Sequence, residues 1–441
     1  MLSLITDLIG ILFLSERDFI FSSNLVEAGL VTLGLSSFFI ADLPLRWLIV
    51  SGLQIVSFLI CTPWIGNHNF PILLICLSGF AIALYSYKDK VRAALAFEKW
   101  QSQFFCIFIL LYALAVFAKL NHGFFNMDET CALFVNRSLL RKINLLDLSK
   151  YFSPYFLIAM TLFCEGFLPI LILKNQYRKW AILTLLSFHI ALSLHYFEFL
   201  PLVLIGLLPL LPPSERSTLK VIWEVFFAKY KYAIIALALT YHSQKFYFGA
   251  NSALLFCFAT TGFALALLLS WPILKMIWSL TTRSLVPKIN INLLGGLFII
   301  LMLLIGFGPF LGFRSIGSFA MYSNLDNTGG GNHFLHSPLK LFNEGDELIF
   351  LNSKIRPTLK VIMPLWVLPR TKSSYGVPKF ELGRILTRAS NEQRDLIAQN
   401  ILDQKIEAAS FIAEYEESPL IKKLFFGYRP IVENDMNTCL W

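Results

Sequence analysis

Long apolar runs separated by short polar stretches fill the first 312 residues of the chain. A helix needs about 20 apolar residues to cross a bilayer, and tilt absorbs some mismatch, so the pattern predicts about nine to ten spans. They fall at residues 26–42, 46–64, 70–86, 97–120, 151–173, 180–196, 198–212, 232–250, 252–273 and 290–312. Because the runs are long and do not alternate, they favour an all-α polytopic membrane helix bundle over a β-barrel.

Two apolar runs depart from this pattern. Residues 1–14 are too short to span and are stopped by the polar sequence SERD, so residues 1–25 are predicted to form an interfacial N-terminal segment. Residues 180–211 are nearly continuous and are broken only by HYFEFLP. Their length favours a tight helical hairpin, with Pro201 near the start of the second arm.

Lysine and arginine residues are concentrated in alternate loops of this arrangement. Of the 22 that precede residue 313, 15 fall in one set of loops and seven, including Lys119, fall on the opposite side. Cytoplasmic loops carry the excess of positive charge, so the first set is predicted to be cytoplasmic. The bundle, residues 26–312, is then expected to lie in the plasma membrane of a bacterium.

The composition agrees with a membrane protein. Hydrophobic residues make up 56% of the chain and charged residues 15%, with a mean hydropathy of +0.65. The net charge of +9 follows from the topology, so we do not expect nucleic acid as a partner; the expected partner is the lipid bilayer.

Two motif classes carry no predicted chemistry. None of the seven cysteines forms a CxxC pair, and most lie in apolar runs, where a free cysteine behaves as a small hydrophobe. Neither a zinc site nor any other metal site is predicted. The sequon that begins at Asn136 would matter only in a eukaryotic secretory setting.

The composition changes after Phe313. Residues 313–441 contain 15 Lys and Arg against 14 Asp and Glu, and no run is long enough to span. Residues 346–351 and 358–363 are predicted strands, and 390–415 a helix with a capping box at Ser390. We expect a small α+β tail on the non-cytoplasmic side.

Ionisable side chains within predicted spans are candidates for function, because burying them in a membrane is costly. Five stand out: Lys119, Glu165, His189, His195 and Glu198. Each also has a structural interpretation, as a snorkelling lysine, a hydrogen-bonded Glu–His pair, or a hydrated turn. The two histidines are six residues apart and do not share a helix face, which makes them poor candidates for a metal pair.

The orientation of Lys119 can be predicted from its helix. Tyr112, Ala115 and Lys119 follow at spacings of three and four, so they share one side, and the small residues there allow a neighbouring helix to approach. Lys119 is therefore predicted to point into the bundle, held by Asn121 and His122. Burial disfavours a charged amine and a close carboxylate favours it, and the sequence leaves open which effect dominates.

Four motifs resemble the horizontally transferred transmembrane (HTTM) domain family, which includes the vitamin K-dependent gamma-carboxylase. In chain order they are YALAVFAKLNHGFF (112–125), CEGFLPILIL (164–173), LSFHIALSLHYFEF (186–199) and GFRSIGSFAMYSNLDNTGGGNHFL (312–335). The resemblance covers roughly residues 5–350. It implies that Lys119 is the base that deprotonates a reduced quinone such as vitamin K.

The residues and the resemblance together suggest a membrane enzyme, a carboxylase-like lyase that acts at the outer face on a lipid-soluble, quinol-like molecule or a peptide. Lys119, His189 and Glu165 are the catalytic candidates. The substrate-binding candidates are Asn121, His195, Asn324, Asn332 and His333, of which the last three would fold back over the outer mouth of the bundle. One alternative is a non-catalytic maturation, export or immunity partner of a secreted peptide. A transporter is the other alternative.

Overall fold

The computed structural model describes residues 2–15, 24–40, 43–61, 69–86, 90–128, 130–195, 197, 199–246, 252–280, 293–311, 348–355, 358–359, 375–401, 408–425 and 431–432. Across these residues the protein is mostly helical, with a few short strands near the C-terminus. The predicted helical character of the first 312 residues is confirmed for the described part of that region.

The helices of this region are α1 (Leu2–Ser15), α2 (Asn24–Ser37), α3 (Leu43–Cys61), α4 (Asn69–Ser86), α5 (Lys90–Lys119), α6 (Cys131–Lys142), α7 (Pro154–Leu162), α8 (Leu168–Leu173), α9 (Arg178–Leu192), α10 (Phe199–Leu207), α11 (Pro213–Phe246), α12 (Ser252–Ser279), α13 (Leu293–Gly306) and α14 (Gly308–Leu311). Most of the helices overlap the predicted apolar runs, whereas α6 and the first half of α11 lie outside them. The π-helical segment Phe163–Phe167 joins α7 to α8. The predicted hairpin is confirmed, since α9 and α10 are separate helices that pack together.

The N-terminal segment was predicted to be interfacial, and its helix α1 is enclosed by other helices of the bundle. Every side chain from Leu4 to Leu14 is at most 1% exposed, and α1 packs against α2, α3, α10 and α11. The reason lies in its sequence, which between Leu4 and Leu14 is apolar on all sides apart from Thr6 and Asp7; a helix that is hydrophobic all round is buried. Asp7 accepts hydrogen bonds from Arg46 and, at 2.8 Å, from Trp223 Nε1.

Few of the helices meet the requirement for crossing a bilayer unaided. In the described residues, two are both long enough and apolar enough, namely Pro154–Leu173, which comprises α7, the π segment and α8, and Phe256–Ser279 within α12. Six other apolar helices are shorter. The predicted 213–231 loop is also helical, because α11 begins at Pro213, where proline suits the first turn, and continues for 34 residues.

The tail has its own core, built around an antiparallel sheet in the order β1–β2–β3. Its strands are β1 (Leu348–Leu351), β2 (Tyr375–Pro378) and β3 (Ile431–Val432). The prediction of β1 and of the capping box at Ser390 is confirmed, whereas Thr358 and Leu359 are helical and 360–363 lie outside the described residues.

The predicted helix 390–415 is interrupted. A first helix ends at Gln399, Ile401 pairs with Leu351 of β1, and a second helix runs from Ala408 to Glu417.

Within the bundle, α10 lies against α5 at Gly206. A carbon added at the Cβ position of Gly206 would lie 2.5 Å from Phe108 Cδ2 and 2.8 Å from Phe108 Cβ. Glycine therefore allows the two helices to approach, and Phe108 also lines the cavity described below.

Gly206→Ala is expected to lower the free energy of unfolding by about 1–3 kcal/mol, because the added methyl group forces α10 away from Phe108. Denaturant unfolding in detergent measures the change. Gly52→Ala is the control: nothing lies within 4 Å of the corresponding position, and alanine should stabilise α3 slightly. Equal stability of both variants would show that the α5–α10 contact is loose.

Candidate functional site

A cavity of about 170 Å³ lies near the end of α5 that carries Lys119. It is enclosed by α5, α6, α7, the π segment, α9 and α10, and most of its walls are apolar. Four of the predicted candidates line it together: Lys119, Glu165, His189 and His195. The sequence placed these residues on three different spans, and the fold brings them to one site.

Lys119 points into the bundle, as predicted. It is 2% exposed, and its Nζ donates a hydrogen bond of 2.7 Å to Oε2 of Glu165. The two form an ion pair in which the Glu165 side chain keeps 19% exposure. A carboxylate at this distance compensates the buried charge of the ammonium, so the resting site holds a paired positive and negative charge.

Glu165 is presented by an irregular stretch of helix. It lies in the π segment, where the N–H of Leu168 donates to the carbonyl of Phe163. Pro169 explains the irregularity, because its ring has no N–H to donate and clashes with the carbonyl four residues earlier, that of Glu165. π segments of this kind are frequent at functional sites. Gly166 completes the arrangement, since its missing side chain lets Val116 of α5 pack closely.

Tyr112 and His189 form a second polar pair in the cavity. The distance from Tyr112 Oη to His189 Nε2 is 2.9 Å, and Nδ1 of the same ring lies 2.9 Å from the carbonyl oxygen of Leu185. A carbonyl can only accept, so Nδ1 carries the hydrogen and Nε2 accepts from the tyrosine hydroxyl. His189 thus orients the tyrosine, whose oxygen keeps its lone pairs for another donor.

Tyr112→Phe is expected to lower the free energy of unfolding by about 0.5–1.5 kcal/mol, because His189 Nε2 loses its donor while the packing of the ring is kept. Thermal unfolding in detergent measures the change. Tyr155→Phe is the matched control, since Tyr155 is 68% exposed and should tolerate loss of its hydroxyl. A Tyr112→Phe protein as stable as wild type would mean that this hydrogen bond contributes nothing.

The Asn121 side chain, predicted to hold the amine together with His122, forms hydrogen bonds to the backbone of the turn after α5. It donates to the carbonyl of Ala118 and accepts from the N–H of Phe124, so it closes the turn that follows α5. Asn121 does not line the cavity, and His122 is exposed. The short asparagine side chain reaches its own backbone more readily than a neighbouring amine.

His195 lines the same cavity as His189, although their spacing of six residues had predicted different faces of one helix. The reason is that α9 ends at Leu192, so helical periodicity no longer applies to the turn that carries His195. This turn is anchored by Lys142, whose Nζ donates 2.8 Å to the carbonyl of His195 and lies 4.9 Å from the ring centroid of Phe258. Lys142 has no counterpart among the predicted residues.

The remaining candidates cannot be placed. Asn324, Asn332 and His333 lie outside the described residues, as does Glu198. Their predicted approach to the outer mouth stays a prediction.

Helix α6, within the stretch between two predicted spans, forms one wall of the cavity. Thr130 caps its N-terminus by accepting from the N–H of Ala132, and Cys131, Val135 and Asn136 are among the residues that line the cavity. Cys131 is disulfide-bonded, which the spacing of the cysteines did not predict. The amphipathic spacing of α6 and its threonine cap were signals from which the helix could have been found.

Comparison of the chain with protein-family models, with curated proteins and with solved structures gave no match in any of the three.

Proposed function

We propose that the chain is a multi-pass integral membrane protein of the HTTM type whose cavity binds a small, ring-shaped, lipid-soluble molecule and transfers a proton to or from it. The observation that carries this proposal is the cavity itself, in which apolar walls surround the Lys119–Glu165 ion pair. Ligand sites commonly combine such walls with a few convergent polar groups.

Membrane insertion is supported by the surface of the helices. Along Pro154–Leu173 one face exposes large apolar side chains at helical spacing, from Phe156 through Met160, Phe163 and Phe167 to Ile170. On α13, Leu293, Leu297, Ile300 and Leu304 form a similar stripe. Contiguous apolar surface of this extent is rare on a soluble monomer and is what lipid would cover.

Both ends of Pro154–Leu173 carry groups that suit a membrane interface. Tyr151 and Tyr155 are exposed at one end, and Tyr177 and Trp180 at the other. At the second end, Lys179 Nζ donates 2.7 Å to the carbonyl of Trp278. Aromatic side chains collect at both interfaces, and Lys150 and Lys179 place a lysine at each end of this stretch. The second end is assigned to the cytoplasm by the excess of Lys and Arg over the whole set of loops on that side, which places the cavity near the outer face. The disulfide at Cys131 agrees, because disulfides persist in oxidising compartments.

The size of the cavity favours a ring over a peptide. A cavity of roughly 150 Å³ holds one benzene molecule, so about 170 Å³ suits a single small ring system. Met160 both lines this cavity and is 38% exposed on the lipid-facing side of the helix. A lipid-soluble molecule would therefore reach the cavity from the bilayer.

The ion pair can take part in proton transfer without leaving an isolated charge. Transfer of one proton from the ammonium of Lys119 to Glu165 gives a neutral amine and a carboxylic acid, and the amine then accepts the proton of a ligand hydroxyl. The ammonium that results faces the ligand oxyanion. Tyr112, oriented by His189, supplies a hydroxyl at the same site.

Membrane topology is tested by reporter fusions. We expect reporters at Ser217 and after Trp441 to label from opposite sides of the membrane, because the 213–231 region is assigned to the cytoplasm and the tail to the outside. Labelling from the same side would overturn the topology.

Ligand binding is tested by extracting the purified protein and searching the extract for bound ring-containing lipids by mass spectrometry. Ala115→Phe, which fills the cavity, should remove the bound molecule, whereas Ala191→Phe, at an exposed position of α9, should retain it. Size-exclusion profiles check that both variants are folded. Equal recovery of the molecule from the two variants would overturn the proposed site.

A further inference from the structure

We infer that Asn136 is a ligand-positioning residue, whose amide donates a hydrogen bond to an acceptor oxygen of the molecule in the cavity. The inference rests on the proposed binding of a ring-shaped ligand. It adds that this ligand carries an oxygen acceptor on the side of the cavity formed by α6.

The position of Asn136 is fixed by helix α6. Ala132, Val135, Asn136 and Leu139 face the cavity along one side of the helix, while Arg137 is exposed on the other side. Three of these four cavity-facing side chains are apolar. An amide on this face therefore stands out as the polar group that α6 contributes to the wall.

The amide nitrogen of Asn136 is buried, and it has no hydrogen-bond partner in the described part of the chain. Leaving a buried donor unsatisfied destabilises a protein by roughly 1–3 kcal/mol, so such groups in native structures call for a specific explanation. An acceptor atom of a bound ligand explains this donor, because the amide would then donate a hydrogen bond to the ligand. The burial also prevents glycosylation at the sequon in the folded protein, because the nitrogen that would carry the sugar is enclosed.

The other polar groups of the cavity define the chemistry of that ligand. The ammonium of Lys119 is a donor, Glu165 already accepts from it, and the hydroxyl hydrogen of Tyr112 is taken by His189. A primary amide N–H can only donate. The site thus presents donors from two walls, which suits a ring with oxygen acceptors and leaves a pure hydrocarbon without polar contacts.

Two probes with the same carbon skeleton, one with two carbonyl oxygens and one without, test the inference. Binding of 2-methyl-1,4-naphthoquinone and of 2-methylnaphthalene is measured by equilibrium dialysis against the protein in lipid nanodiscs, with empty nanodiscs as the blank. We expect Asn136→Leu to weaken binding of the quinone about tenfold, or about 1.4 kcal/mol, and to leave binding of the hydrocarbon unchanged.

Stability without any probe is the second measurement. Asn136→Leu should raise the melting temperature, because it removes a buried unsatisfied donor while keeping a similar volume. Leucine is also the better helix former, so Ser138→Leu in the same helix measures that contribution and should raise the melting temperature less.

The outcomes separate this inference from the proposed function. If wild type binds neither probe above the blank, the proposed ligand and the inference both fail. If wild type binds the quinone and Asn136→Leu binds it equally well, the inference alone fails. It fails also if Asn136→Leu melts below wild type, since the amide would then be satisfied within the protein.

Discussion

Replacing Lys119 by methionine is expected to lower the free energy of unfolding by about 3–5 kcal/mol, the cost of breaking a buried ion pair. The substitution keeps most of the side-chain volume but removes the ammonium 2.7 Å from Glu165. A carboxylate that is largely shielded from water is then left without its compensating charge. Unfolding of the purified protein in detergent or lipid measures the loss.

A double substitution separates the ion pair from the packing. Lys119→Met combined with Glu165→Leu removes both charges, and we expect it to recover most of the stability that Lys119→Met loses, because replacing a buried pair by apolar residues is often neutral. If the double variant is as unstable as the single one, the lysine stabilises the fold through its stem rather than its charge.

Arginine at position 119 addresses the proposed chemistry. Lys119→Arg keeps a positive charge beside Glu165 and should retain most of the stability. The guanidinium stays protonated in proteins, so it cannot serve as a base. Any turnover that survives this substitution would exclude Lys119 as the base and would leave the cavity as a binding site.

The sequence predicted the orientation of Lys119 because that orientation depends on helical spacing alone. Tyr112, Ala115 and Lys119 were placed on one face by a period of 3.6 residues, and all three line the cavity. The partner Glu165 could be suspected as a polar residue in an apolar run, but its distance depends on how two helices pack. Its π segment had a sequence signal, a proline four residues later, that points to an irregular helix.

Where local spacing ends, the predictions from sequence fail. His195 lies beyond the end of α9, so a helical wheel could not place it. The disulfide at Cys131 depends on contacts made by the folded chain, which the spacing of cysteines does not reveal. For α1, the length suggested an interface, whereas apolar residues on every side of the helix indicated burial.

In the tail, strand β2 is an element that residue propensities do not predict. Tyr375–Pro378 contains a glycine and a proline, which are depleted in strands, yet it pairs with both β1 and β3. Pro378 is tolerated because it ends the strand and serves as the N-cap of the following helix, Lys379–Arg388. The position of Pro378 at the end of β2 therefore outweighs the low propensity of proline for strands.

The same helix, Lys379–Arg388, carries the buried ion pair whose loss is the second large predicted effect. Glu381 and Arg384 are both fully buried, and Arg384 Nη1 donates to Glu381 Oε2 over 2.6 Å. The guanidinium also donates to the hydroxyl of Tyr415 and to the carbonyl of Lys423, both at 3.3 Å. One side chain therefore joins three segments of the tail.

Arg384→Met is expected to destabilise the tail by about 3–5 kcal/mol, because it leaves the carboxylate of Glu381 buried without a positive charge. Glu381→Gln should cost less, since the guanidinium keeps its bonds to Tyr415 and Lys423 and a neutral amide can still accept from it. Hydrogen exchange of the amides in 379–388 measures local opening in the full-length protein, and Arg388→Met, at an exposed position of the same helix, is the control. Protection in Arg384→Met that matches the control would mean that the tail core tolerates an unpaired carboxylate, and the pair would then contribute to the geometry of the helix rather than to its stability.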